Sequence, residues 1–210
     1  MDEIAFNILL LGDSSVGKTS LMLRFSKDLY EDNKVSTIGL ALETKNIEIN
    51  SQKITLNIYD TSGQERYHSL AKSYLRKVDG IIFVFDLTSE KSFDNIKKWL
   101  TTCEDIIQDF QKIIVGNKMD LENREIDIER AENFSKKYKM KFFQTSAKND
   151  INVERIFNEI AKLILESKQK NKKIEVNEID KEKEKEDEKS QKNIKLTNKK
   201  KKSKKKKKFC

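Results

Sequence analysis

The stretch GDSSVGKT, Gly12 to Thr19, constrains this chain more than any other. It fits G-x-x-x-x-G-K-[ST], a loop that joins a strand to a helix and cradles phosphate. Both flanks agree with that use. The apolar run Ile4–Leu11 comes before it, and the helical stretch TSLMLRF comes after. The N–H groups of such a loop and of the helix start form an anion site. Gly17 permits close backbone approach, Lys18 meets the β- and γ-phosphates, and Thr19 offers a hydroxyl to Mg²⁺. A tight glycine turn with no ligand is the plain alternative, but it leaves both flanks unexplained.

The same alternation continues along the chain. Strand-length apolar runs recur at Ile54–Tyr59, Gly80–Asp86, Lys112–Gly116 and Lys141–Gln144. GIIFVFDL is apolar on both faces, as a strand inside a parallel sheet must be. Between the runs lie helical patterns. Phe93, Ile96, Leu100, Cys103 and Ile107 fall at steps of three and four, and so do Ile156, Ile160, Leu163 and Ile164. Strands alternating with helices predict right-handed βαβ units. KNIEINSQKITLNIYD differs: two strand-like runs flank a short polar turn, which reads as a hairpin. The expected fold is α/β, with a six-stranded, mostly parallel sheet, one antiparallel edge strand and helices on both faces.

Charge divides the chain. From Lys168 to Cys210 there are 19 lysines and 8 acids, so this segment carries +11. The whole chain carries +8, which leaves −3 on residues 1 to 167. The expected organisation is a domain over 1–167, a charged flexible linker over 168–198 and a polybasic tail over 199–210 ending in cysteine. DKEKEKEDEKSQK, in the linker, cannot bury enough surface to offset its ordering entropy. A mildly acidic body weighs against nucleic acid as the partner of its surface. Cys103 and Cys210 are too few for a disulfide framework, and the acidic start MDEIAFNILLLG is wrong for a signal peptide. No apolar run approaches the roughly 20 residues that span a bilayer. The expectation is a protein kept on the cytosolic side.

GNKMDL, Gly116 to Leu121, closes another predicted strand, where ligands of such sheets collect. An aspartate there accepts two hydrogen bonds from the N1–H and N2–H₂ of guanine. Adenine has no matching donor pair, and an unpaired buried carboxylate discriminates strongly. Asp120 in this place selects guanine, although NKMD taken alone reads more simply as a solvated turn. TSAK, Thr145 to Lys148, follows the next strand, from which the Ala147 N–H reaches toward the guanine carbonyl.

GDSSVGKTS, STIG, DTSGQERY, GNKMDL and TSAK, in this order and spacing, resemble the Ras-like small GTPases. RFSKDLY, GQERY and LTSEKSFDNIKKWL look most like the Rab branch, and the likeness covers about residues 4 to 166. The resemblance implies a P-loop GTPase fold that binds GTP or GDP with Mg²⁺. It places the N–H groups of Ser15, Val16, Gly17, Lys18 and Thr19 and the hydroxyl of Ser20 on the phosphates. Tyr30 stands where the family packs an aromatic on the guanine. Asn117 and Lys118 brace the base pocket, Ser146 steadies Asp120, and Ala147 and Lys148 complete it. Thr37 closes onto Mg²⁺ and the γ-phosphate, Asp60 holds Mg²⁺ through a water, and the Gly63 N–H touches the γ-phosphate. Loss of that phosphate frees Thr37 and Gly63, and two loops relax. Gln64 matches the residue that orients the attacking water, the catalytic role in this chemistry. Hydrolysis is expected to be slow until an activating partner supplies an arginine.

Some positions depart from the family. Ser62 and Tyr59 replace the usual alanine and tryptophan, and Ala41 and Leu42 replace an aspartate and a phenylalanine. Tyr74 is retained. Leu42 and Tyr59 occupy two of the three places in the family's partner-reading set with Tyr74, so the identity of exchange factors, activating proteins and effectors does not carry over. His68 reads as solvent-facing, Trp99 and Cys103 as packing, and Phe142 and Phe143 as buried strand.

Nine of the ten residues from Lys199 to Lys208 are lysine, followed by Phe209 and Cys210. An anionic cytoplasmic leaflet attracts about 1 kcal/mol per such lysine. One lipid chain anchors marginally, and a basic patch supplies the second signal. Cys210 is the lipidation candidate, although C-a-a-X needs three residues after the cysteine and the Rab branch typically ends in paired cysteines. A basic tail that binds RNA nonspecifically is the other reading. The expected protein is a monomeric switch for vesicle traffic, cycling between the cytosol and the cytosolic face of an endomembrane or the plasma membrane. The alternative is a nucleotide-binding adaptor with negligible hydrolysis.

Overall fold

The computed structural model describes residues 4–32, 39–61 and 75–172. Thr37, Ser62, Gly63, Gln64, His68, Tyr74, most of the linker and the whole tail with Cys210 lie outside the described residues. The chain divides into two units, Met1–Leu165 and Glu166–Cys210. The second is described over 166–172, where it is helical.

In the first unit the strands are β1 (Ile4–Leu11), β2 (Leu40–Ile49), β3 (Gln52–Thr61), β4 (Gly80–Asp86), β5 (Gln111–Asn117) and β6 (Lys141–Gln144). The helices fully within the described residues are α1 (Lys18–Lys27), α2 (Glu90–Glu104) and α3 (Ile128–Lys137), and a further helix, α4, begins at residue 153. One six-stranded sheet runs β2-β3-β1-β4-β5-β6. Every neighbouring pair is parallel except β2 with β3. The expected fold is the observed one, with the antiparallel strand at the edge.

The hairpin is longer than its apolar run suggested, because ten-residue strands pair along their whole length from Leu40↔Thr61 to Ile49↔Gln52. Asn50 and Ser51 join them with φ of 51° and 61°. Positive φ at both turn residues matches the right-handed twist of the strands.

The apolar periods place two cores. On one face Phe6, Ile8 and Leu10 of β1 meet Leu21, Met22 and Phe25 of α1 and Ile156, Phe157 and Ile160 of α4. Phe25 and Phe157 stack with centroids 4.2 Å apart, worth about 1 kcal/mol beyond burial. On the other face Leu9 and Leu11 meet Phe93, Ile96 and Leu100 of α2 and Ala131 of α3. All seven residues of β4 are buried, as its two-faced apolar run requires. Phe142 and Phe143 are half-buried rather than buried, since β6 is an edge strand with a neighbour on one side only. Ile107 lies past the end of α2, with its N–H on the Cys103 carbonyl.

β1 has β3 on one side and β4 on the other, so successive connections leave it in opposite directions. That reversal opens a crevice beyond the carboxyl ends of the strands.

Candidate functional site

A cleft of about 360 Å³ occupies this crevice. Ser15, Gly17, Lys18, Thr19, Ser20, Tyr30, Asn117, Lys118, Asp120, Ala147 and Lys148, all singled out by sequence, line it. They come from the loop after β1, the start of α1, the segment that follows α1, the loop after β5 and the loop after β6.

The loop after β1 is shaped by its glycines. At Gly12, φ is 149° and an added Cβ would sit 1.9 Å from the Val84 carbonyl oxygen of β4. At Gly17, φ is 96° and a Cβ would sit 2.2 Å from Asn117 Nδ2. Ser15 also takes a left-handed φ, 64°. Alternating backbone hands turn successive N–H groups toward one point.

The start of α1 differs from the other helix starts. Ser89 caps α2 by accepting from the Ser92 N–H, and Asp127 caps α3 by accepting from the Glu129 N–H. α1 begins after Gly17 with no side-chain cap and no acid in its first turn. Its orphan donors and partial positive charge face the cleft, as an anion site requires.

Lys18 is only 4 % exposed. Its Nζ donates to the Gly12 carbonyl at 2.9 Å and the Asp13 carbonyl at 2.7 Å. An ammonium has three donors, so one remains for a phosphate oxygen. Burial lowers its pKa from 10.5 to about 8, against the opposing pull of Asp60 and Asp13. Below pH 8 the ammonium is charged in folded and unfolded chains alike. Its burial then costs the nucleotide-free fold about 3 kcal/mol. Between pH 8 and 10.5 only the folded chain gives up the proton, so this cost fades and stability rises with pH. Chemical denaturation of nucleotide-free protein across that window is expected to show the rise, and saturating nucleotide to flatten it.

Beside it, Thr19 Oγ1 donates to Asp60 Oδ2 at 2.5 Å, and Asp60 is fully buried. These neighbouring hard oxygens suit Mg²⁺, which takes oxygen ligands only. Val16 turns its side chain into the core and offers its backbone carbonyl to Asn117 Nδ2 at 3.0 Å.

Asn117 is the stitch between the two loops of the base end. Its Oδ1 accepts from Thr145 Oγ1 at 3.1 Å and the Ala147 N–H at 3.3 Å. Ser146 Oγ donates to Asp120 Oδ1 at 2.6 Å, holding that carboxylate in place. Lys118, at φ 64°, pairs with Asp86 Oδ2 at 2.7 Å. Asp86 also accepts from the N–H and hydroxyl of Thr88. Tyr30 lines the cleft with a raised pKa, caused first by burial and then by its hydrogen bond with Asp32. Asp32 in turn lies 3.3 Å from the Lys148 ammonium.

Sequence reasoning missed three supports. Asp86 ends an apolar strand and carries no motif. Asp13 occupies a variable motif position, yet its carboxylate accepts from Asn95 Nδ2 at 2.7 Å and Trp99 Nε1 at 3.0 Å. Trp99 therefore packs from α2 against the core and also holds the loop after β1, a correction to its reading as packing alone. Cys103 stays a core residue: burial pushes its thiol up to about 12, which keeps it unreactive.

The model of the Ras family matches residues 7–166. Ras-related protein Rab-8 of Diplobatis ommata is 42% identical over 179 residues, which span 84% of this chain and 84% of that protein. Ras-related protein Rab-8B of Homo sapiens is 44% identical over 165 residues, 78% of this chain and 80% of that protein. Ras-related protein Rab-10 of Diplobatis ommata is 40% identical over 166 residues, 78% and 83% respectively.

Proposed function

This chain belongs to the Ras family, in its Rab branch, and we propose that it works the family's guanine-nucleotide switch with the residues gathered in its cleft. It is a GTP-hydrolysing small GTPase acting as a switch in vesicle traffic, and that membership sets the adaptor reading aside. One observation carries the residue assignment. A buried ammonium at Lys18 and a steadied carboxylate at Asp120, on segments that follow different strands, line a single cleft. The ammonium suits phosphate and the carboxylate suits the N1–H and N2–H₂ edge of guanine.

Hydrolysis needs little covalent help from the protein. Water attacks the γ-phosphorus in line, the bond to the β-phosphate oxygen breaks, and GDP and phosphate leave. The loop N–H groups of Ser15 to Thr19, the Ser20 hydroxyl and Lys18 hold the phosphates. Thr19, Thr37 and Asp60 would hold Mg²⁺, which would neutralise part of the phosphate charge. Gln64 orients the water. Thr37 and the Gly63 N–H sense the γ-phosphate and lose their partner when it departs. Turnover is slow alone and rises when an activating protein supplies an arginine, an effect of about 10³- to 10⁵-fold in this chemistry. An exchange factor renews the nucleotide, and effectors read the GTP state at a surface where Leu42, 53 % exposed, stands opposite Tyr59.

The domain of residues 1–167 is joined by the charged segment 168–198 to the tail 199–210. The tail binds an anionic cytosolic leaflet through its lysines and a lipid on Cys210, and the protein cycles as a monomer between membrane and cytosol. Among the described residues no helix is long and apolar enough to cross a membrane.

Calorimetry with Mg²⁺ tests the nucleotide assignment: guanosine nucleotides bind tightly and adenosine nucleotides do not. Equal binding of both, or of neither, overturns it. Gln64→Leu is expected to leave GDP and GTP affinity within about twofold while lowering stimulated hydrolysis by at least about 100-fold. Calorimetry reads the affinities, and single-turnover assays with and without cell extract read the hydrolysis. Undiminished stimulated turnover removes Gln64 from its role.

A further inference from the structure

α1 begins at the phosphate end of the cleft with Lys18 and Thr19, and its last turn carries Arg24. The Arg24 side chain is 16% exposed. Its Nε donates to the Ala147 carbonyl at 3.0 Å, and its Nη2 donates to the Lys148 carbonyl at 3.3 Å. Nη1 donates to the Asp28 carbonyl at 3.2 Å and to Asp28 Oδ1 at 2.8 Å. The guanidinium carbon lies 5.8 Å from the centroid of the Tyr30 ring. One planar group thus engages the end of α1, the aromatic of the base pocket and two consecutive carbonyls of the TSAK loop. A guanidinium presents five donors in a fixed fork, which makes those positions interdependent.

We infer that Arg24 is a positioning residue for the nucleotide, fixing the guanine-binding TSAK loop and Tyr30 to the helix that carries the phosphate-binding Lys18 and Thr19. It rests on the guanine reading above. The loop has its own internal support, since the Thr145 N–H donates to the Gly116 carbonyl and Ser146 pairs with Ile151 in both directions. Arg24 is not needed to build that loop. It sets where the loop stands relative to α1, and so the distance between the grip on the base and the grip on the phosphates. A rigid spacing slows release, because the nucleotide cannot leave one end while the other yields.

The test compares GDP release from full-length wild type, Arg24→Ala and Arg24→Lys, followed with a fluorescent GDP. Both variants are expected to release GDP about ten- to a hundredfold faster, the loss of one or two hydrogen bonds to a charged donor. Lysine does not rescue, because a point charge cannot reproduce the fork. Chelating Mg²⁺ is expected to speed release by the same factor in wild type and variants, since the phosphate grip is untouched. Arg24→Lys carries the test if Arg24→Ala fails to fold. Asp28→Asn breaks the ion pair within α1 alone and is expected to change release less than about twofold. Unchanged release in the Arg24 variants overturns the inference. So does full rescue by lysine, a collapsed Mg²⁺ factor, or equally fast release from Asp28→Asn. If wild type itself fails to bind GDP, the guanine reading has failed, and that outcome is separate because it precedes any comparison with Arg24.

Discussion

Asp120→Ala is expected to abolish most of the preference for guanine. The carboxylate accepts two charge-assisted hydrogen bonds from the base in the proposed complex, each worth about 1.5–3 kcal/mol. Affinity for GDP should therefore fall by roughly 10²- to 10⁴-fold. Affinity for ADP has no such contact to lose and should hardly change, so the selectivity ratio falls by the same factor. The fold tolerates the change. Asp120 is half-buried, and Ser146 Oγ keeps its bond from the Asn149 N–H at 3.0 Å. Calorimetry with GDP and ADP, with the melting temperature alongside, checks this. A ratio equal to wild type with the fold intact would remove Asp120 from base recognition.

Gly12→Ala is expected to have the largest effect on stability. The methyl would sit 1.9 Å from the Val84 carbonyl oxygen, a backbone atom inside a fully buried strand. That oxygen cannot swing aside as a flexible side chain would. The φ of 149° adds strain for any residue with a Cβ. Moving β4 would disturb its pairing with both β1 and β5. We expect a loss of about 3 kcal/mol or more, a large share of the stability of a domain this size. Gly39→Ala is the control: φ there is 86° but, among the described residues, no atom beyond its chain neighbours lies within 4 Å of the added methyl. Its loss should stay near 1 kcal/mol, the left-handed backbone penalty alone. Urea denaturation of the two variants separates clash from conformation, and equal midpoints would contradict this account of Gly12.

Much of the fold is legible in the residues because its signals are local. A two-faced apolar run such as GIIFVFD has few uses other than a central strand, and a phosphate loop needs a strand before it and a helix after it. The cleft residues other than Tyr30 were legible for a related reason: each sits in a short motif that begins at a strand's carboxyl end. What escaped notice is held by contacts between distant segments. Asp13 meets Trp99 across 86 positions and Arg24 meets Ala147 across 123. No periodicity encodes such pairs, and the apolar side of α2 explained Trp99 well enough to hide its second role. Strand ends were blurred for another reason. Thr44, Asn46 and Asn57 are polar yet pair in register, because β2 and β3 leave one face to water.

Trp99 is also the only tryptophan in the chain. Its indole N–H rests on the carboxylate of the loop proposed to cradle the phosphates, and indole emission responds to charge and hydration around that ring. Trp99 emission is therefore expected to change as nucleotide arrives and departs, and titrating unlabelled protein with GDP checks it through one indole with no second to confuse the signal.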